Sequence, residues 1–206
     1  MDHQALFDIP IIVLAAGQSK RMRGTDKLLE LIDGVALLRR QANLACAVTK
    51  GPVLVALPSA PHPRYQCLDG LGVNRIPVPD AADGMSASIR AAIAALPDET
   101  PAAMLLLGDL PELTEDDLKS IIQSVDLKSN SLIWRGVTET GEPGHPIVFS
   151  ARVFNDLVAL SGDSGGQAVV EAAGDRVALV PLPNNRARMD LDTPEDWATW
   201  RAARSN

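Results

Sequence analysis

Lys20, Arg21, Arg23 and Lys27 gather within eight residues of an otherwise acidic chain, in the stretch "VLAAGQSKRMRGTDKLL" from Val13 to Leu29. Clustered ammonium and guanidinium groups give charge-assisted donors to phosphate oxygens, while Ala15, Ala16 and Gly17 leave room for a nucleotide beside the backbone. A solvated basic loop is the plainer alternative. Gly17, Gly24 and Lys27 fit neither G-x-G-x-x-G nor G-x-x-x-x-G-K-[ST], so the two common phosphate loops are disfavoured.

Several other residues carry candidate chemistry. Asp109 follows the apolar run "AAMLLLG", and a carboxylate at the carboxyl end of a strand faces the ligand crevice, where it suits a hard cation that also binds phosphate oxygens. It is otherwise a cap for the next helix. Asp190 and Asp192, two apart, share one face if the segment is extended, so that one completes a metal site, unless Asp192 simply caps the last helix. Ser86 and Ser88 in "GMSASI" stand at a helix start, where hydroxyls and N–H groups hold an anion or a base edge, or serve as ordinary caps. His145 in "PGHP" is read as a loop residue, and by itself a loop histidine is exposed. His3, His62 and His145 are too scattered for zinc, and no G-x-S-x-G elbow surrounds the serines, so hydrolase chemistry is unsupported.

These residues need elements to position them. Ile9–Ala15 and Ala102–Gly108 are nearly continuous apolar runs, the pattern of strands buried on both faces of a parallel sheet. "PVLVAL", "GVNRIPV", "SLIWRG", "HPIVFS", "RVALVPL" and "ARMDLD" are further strand candidates, with a Gly/Pro-rich loop from Gly136 to Gly144. Helices are expected over Val35–Val48, Ser86–Leu96, "TEDDLKSIIQSV", "RVFNDLVAL", a stretch after "SGDSGG", and "PEDWATWRAAR", the last capped by Thr193 with Pro194 at its first position. Strands and helices alternate through the first two-thirds, so the expected fold is α/β: one Rossmann-like, doubly wound, mostly parallel sheet in a single domain over residues 1–206.

Composition narrows the partners. A net charge of −7 removes the general footprint of a nucleic-acid binder, and 3% aromatic residues leave few stacking platforms for bases. Cys46 and Cys67 form no metal spacing and read as two buried thiols of a reducing compartment. "MDHQALFD" lacks a basic n-region and "IPIIVLAA" is too short to span a bilayer, so no membrane association is expected and the cytoplasm is the expected location.

"LAAGQSKRMRGTDKLL" resembles the L-A-[AG]-G-x-S-x-R-M-G-x-x-K-x-L-L signature of nucleotidyltransferases of the nucleotide-diphospho-sugar transferase type, and most of all the branch that acts on molybdopterin. The likeness extends through "GMSASI", "LLLGDLPEL", "GEPGHPIVFSARVF", "GDSGG" and "DLDTPEDW", nearly the full chain. It implies transfer of a nucleotide from its triphosphate to the terminal phosphate of the molybdenum cofactor, with magnesium and release of pyrophosphate. Arg21, Lys27 and Asp109 would then be catalytic, and Leu14, Ala15, Ala16, Gly17, Lys27, Ser86, Ser88 and Asp109 would bind the nucleotide. The metal would fall to Asp109 and Asp190, and the acceptor to His145, Gly144, Gly162 and Asp163. Guanylyl-transferring relatives tend to read L-A-G-G and cytidylyl-transferring ones L-A-A-G, so Ala15 and Ala16 point to CTP. A molybdenum hydroxylase apoenzyme is the implied recipient of the product.

Two departures bear on the acceptor side. Gln167 stands where relatives often carry the arginine of "GDxGAR", and one extra residue follows Met22 before the glycine. The alternatives are a guanylyl or sugar-phosphate nucleotidyltransferase, for whose sugar lid 206 residues is short, and a non-catalytic factor that delivers the finished cofactor.

Overall fold

The first strand sends alternate residues into two different cores. In β1 (Ile11–Leu14), Ile11 and Val13 join one apolar cluster, and Ile12 and Leu14 join the other. Double burial of this kind is what a continuous aliphatic run serves in a parallel sheet covered on both faces. The computed structural model describes residues 8–162 and 165–204.

The main sheet has seven strands in the order β5-β4-β1-β6-β8-β7-β9. They are β4 (Val53–Pro58), β5 (Asn74–Val78), β6 (Ala102–Leu107), β7 (Ile133–Val137), β8 (Pro143–Ser150) and β9 (Val177–Pro181) beside β1. Only β8 runs against the others. Helices α1 (Leu37–Val48), α4 (Glu115–Ser124) and α7 (Pro194–Arg204) cover one face, and α3 (Met85–Ala94), α5 (Phe154–Val158) and α6 (Gln167–Ala173) cover the other. From β1 the chain winds outward to β4 and β5, then returns to place β6 on the other side of β1. That reversal opens a crevice at the carboxyl ends of β1 and β6, the place where open α/β sheets bind ligands.

The expected α/β class, with a mostly parallel sheet, is therefore the fold found. Three local expectations are corrected. The stretch 187–192 is no strand: the Arg188 and Met189 N–H groups both donate to the Asn185 carbonyl at 3.0 Å, turning the chain, and a single backbone bond among the described residues, from the His145 N–H to the Ala187 carbonyl, ties the segment to the sheet. The loop expected from Gly136 to Gly144 shrinks, because Gly136 belongs to β7 and Gly144 and His145 to β8, with a turn at Thr138–Gly141 closed by a bond from the Gly141 N–H to the Thr138 carbonyl. The start of the Val35–Val48 helix is a strand instead: β2 (Leu31–Ile32) and β3 (Val35–Ala36) form a hairpin whose turn residues Asp33 and Gly34 have φ of 52° and 79°. An Asp-Gly pair with both φ positive is what a tight hairpin of this hand asks for.

Two tryptophans fix α7. Trp197 and Trp200 meet edge to face at 5.8 Å, Arg201 and Arg204 lie over their rings, and the Trp200 Nε1 donates to Glu112 at 2.6 Å. Glu112 follows β6, so this contact ties the segment before α7 to the crevice.

Candidate active site

The loop after β1 is held from behind. Arg64, 2% exposed, donates through Nη1 to the Ala15 carbonyl at 2.6 Å and through Nε and Nη2 to Asp26 at 2.7 Å, with Ser19 also within reach. Asp26 accepts the Leu28 N–H at 3.0 Å, so one guanidinium joins the start of the loop to its end. Burial raises the Asp26 carboxyl, but Arg64, the Leu28 N–H and Ser19 outweigh it and hold the group below the usual carboxylate range. Between these points Ser19 and Arg23 adopt left-handed backbone conformations, and Met22 is buried, which leaves Lys20 and Arg21 projecting outward.

The loop's cations divide. Arg23 pairs with Glu195 at the surface. Lys27 Nζ lies 2.5 Å from Asp109 Oδ2 and 2.5 Å from Asp192 Oδ1, and Arg21 reaches the other Asp192 oxygen at 2.5 Å. Burial alone would lower the Lys27 pKa; the two carboxylates outweigh it and raise it. The same cations hold Asp192 below its ordinary value against burial. Asp190 goes the other way: burial first, then the hydrogen bond and charge of Asp192, push it up. Asp192 lines the cleft, whereas Asp190 is exposed, does not line it, and hydrogen-bonds Asp192.

A cleft of about 630 Å³ opens between the basic loop and residues 81–85. Of the expected nucleotide-binding residues, Leu14, Ala15, Ala16, Gly17, Lys27, Ser88 and Asp109 line it, as does Gly162. Ser86 does not: it is fully buried, and its hydroxyl donates to the Gly162 carbonyl, so it supports the wall rather than forming it. Gly144 lies at neither cavity described here, and its lack of a side chain has a packing reason, since a Cβ would fall 2.1 Å from the Ala187 carbonyl oxygen. Asp163 lies outside the described residues.

The donor set was tested against a divalent cation. Asp109 Oδ1 is buried and has no hydrogen-bond partner, while its other oxygen holds Lys27. Among the described residues no group of three or more His, Cys, Asp or Glu side chains is arranged as a metal cage. One or two hard carboxylates with an idle oxygen, and no cage, fit magnesium, which completes its shell with substrate phosphate and water.

His145 is not the exposed loop residue expected. It lies in β8, its Nδ1 is buried and unpartnered, and it borders a second cavity of about 200 Å³ with Arg135 and Gln167. Burial, with help from the Arg135 charge, lowers its pKa to about 4. Arg64, Arg135 and the foremost role of Asp192 are additions the sequence did not supply.

A parallel sheet whose switch point carries a basic loop, a lysine bridging two aspartates and a nucleotide-sized cleft defines a nucleotidyltransferase. The chain belongs to the MobA-like NTP transferase domain family, whose model matches residues 11–177. It is 27% identical over 194 residues, 90% of this chain and 93% of the other, to a probable molybdenum cofactor guanylyltransferase of Natronomonas pharaonis. Among solved structures it is similar to the Rv0371c homologue of Mycobacterium sp. strain JC1, with TM-score 0.80 and 29% identity over 95% of this chain and 96% of that one. Rv0371c of Mycobacterium tuberculosis in complex with manganese aligns with TM-score 0.77 and 25% identity, covering 93% and 97%.

Two outcomes follow. Arg64→Met leaves Asp26 without its partner and should cost about 3 kcal/mol or more in urea unfolding, whereas Arg64→Met combined with Asp26→Leu should recover over half of the loss; a single variant as stable as the parent contradicts the anchoring role. His145 stays neutral when folded but takes up a proton on unfolding below pH 6.5, so its contribution is present above that pH and is lost as pH falls toward 4. The stability difference between parent and His145→Asn should therefore shift by roughly 2 to 3 kcal/mol between pH 7 and pH 4.5; a difference independent of pH contradicts it.

Proposed function

We propose that this protein transfers CMP from CTP to the terminal phosphate of the molybdenum-molybdopterin cofactor, releasing pyrophosphate, with magnesium as its metal. The observation that carries the reading is Lys27 between Asp109 and Asp192, with Arg21 on Asp192, at the mouth of the nucleotide-sized cleft. Cations and carboxylates in such balance suit a ligand that brings its own negative charge together with a divalent ion.

An acceptor phosphate is already ionised near neutral pH, so its oxygen needs no strong general base. That oxygen forms a bond to the α-phosphorus as the bond from phosphorus to the β-phosphate bridging oxygen breaks, and pyrophosphate leaves with the electron pair. Lys27 and Arg21 exchange their carboxylate contacts for phosphate oxygens and neutralise charge that grows there. Leu14, Ala15, Ala16 and Gly17, with Ser88 opposite and Ser86 behind Gly162, align the nucleotide. Asp109, with Asp190 or the cleft-lining Asp192 as second ligand, would hold the magnesium ion, which would supply Lewis-acid polarisation of phosphate. We assign the acceptor side to His145 and Gly162, with Gly144 acting through its carbonyl on Arg135; the resemblance alone adds Asp163. The product passes to a molybdenum hydroxylase apoenzyme.

The nucleotide choice rests on Ala15 and Ala16, both nearly fully buried beside the cleft. Their methyl groups narrow the space beside the base and favour a pyrimidine. Guanylyl transfer is the second reading, favoured by the name of the Natronomonas relative. The manganese complex of Rv0371c supports a divalent site of this kind.

The test is pyrophosphate release with magnesium, molybdenum-loaded molybdopterin and either CTP or GTP in parallel. Release at least tenfold faster with CTP is expected; release with GTP alone overturns the nucleotide choice, and none with either favours a delivery role.

A further inference from the structure

One charged side chain interrupts an otherwise apolar row on the sheet. Across β1, β6, β8 and β7 the register partners are Ile12, Leu105, Ile147 and Arg135. The first three pack in the core beneath α3 and α6. Arg135 is half-buried, and its acceptors are neutral: Nε donates to the Gly144 carbonyl at 3.0 Å and Nη1 to Gln167 Oε1 at 3.3 Å. No carboxylate among the described residues forms an ion pair with it. Burial and the nearby Arg188 both lower its pKa, so among the described residues this partly buried cation has no anionic partner.

The surroundings are shaped for a ligand. Arg135, His145 and Gln167 border the cavity of about 200 Å³, and Leu14 and Met85 border both it and the main cleft. A register shift between Arg135 and Val137 falls at Gly136, where a Cβ would lie 3.0 Å from the His145 carbonyl oxygen. Bulges of this sort re-aim side chains beside active sites. His145 borders the small cavity and lies near enough to both Arg135 and Asp109 to sense their charges. Its buried Nδ1 has no hydrogen-bond partner among the described residues.

We propose that Arg135 is an acceptor-binding residue that holds a phosphate monoester in the small cavity beside the main cleft. This rests on the transfer reaction proposed above. Lys20 and Arg21 line the main cleft and Arg135 the small cavity, so donor and acceptor phosphates are held by different cations. Gln167 orients the guanidinium, and its own amide nitrogen is steadied by Glu171 at 3.0 Å.

The kinetic test compares the full-length parent with Arg135→Met and Arg135→Lys, using CTP, magnesium and molybdenum-loaded molybdopterin. Arg135→Met should raise the acceptor KM roughly 10- to 100-fold while the CTP KM stays within about twofold, and Arg135→Lys should recover part of the loss. An unchanged acceptor KM, or equal shifts in both KM values, overturns the proposal. Calorimetric titration of inorganic phosphate into the nucleotide-free chain separates the site from the reaction. A binding component lost in Arg135→Met and kept in Lys27→Met supports the site, and identical isotherms for parent and Arg135→Met overturn it. Absence of turnover in the parent overturns the transfer reading, and the phosphate titration then decides the role of Arg135.

Discussion

Lys27 Nζ sits 2.5 Å from carboxylate oxygens on two distant segments, Asp109 at 82 residues' separation and Asp192 at 165. The loop after β1, the end of β6 and the approach to α7 meet at that ammonium. Each group is only 12–16% exposed, so the attraction is screened less than at the surface, where ion pairs such as Arg23–Glu195 contribute little. Much of the fold delivers these three groups: the switch point brings β1 beside β6, and the Trp200–Glu112 contact draws the segment before α7 over them.

Behind the ammonium stands a second charged link of a different kind. Arg64 is almost wholly buried and spends its donors on the Ala15 carbonyl and Asp26. The Ala15 N–H is also occupied, by the Ala56 carbonyl at 2.9 Å. With both of its backbone groups engaged, Ala15 is a fixed surface. Rigidity obtained in this way lets a loop of many small residues discriminate among ligands without first paying to become ordered.

The strands that frame the site were legible because a strand buried on both faces must be aliphatic throughout, as Ile11–Leu14 and Ala102–Leu107 are. Asp109 was singled out because it lies just past such a strand, and Lys27, well beyond β1, because of the cations clustered around it. Arg64 and Arg135 were not legible. Arg64 follows Pro61 and Pro63 with no apolar period around it, and it acts on residues 38 and 49 positions earlier. Arg135 gains its meaning from register with Ile147 and from Gln167 on another element. The spacing of Asp190 and Asp192 could not tell which faces the cleft, because that depends on turns at Asn185 rather than on a strand. The Asp33-Gly34 hairpin did leave a signal in its Asp-Gly pair, masked by the helical spacing of the apolar residues that follow.

The account turns on the cations of the basic loop serving a polyphosphate rather than bulk charge. Calorimetric binding of the nucleotide that supports turnover, with magnesium, to the parent and to Lys27→Met tests this most directly. Loss of one charge-assisted contact predicts an affinity lower by roughly 10- to 100-fold in Lys27→Met; equal affinity in the two proteins would contradict it.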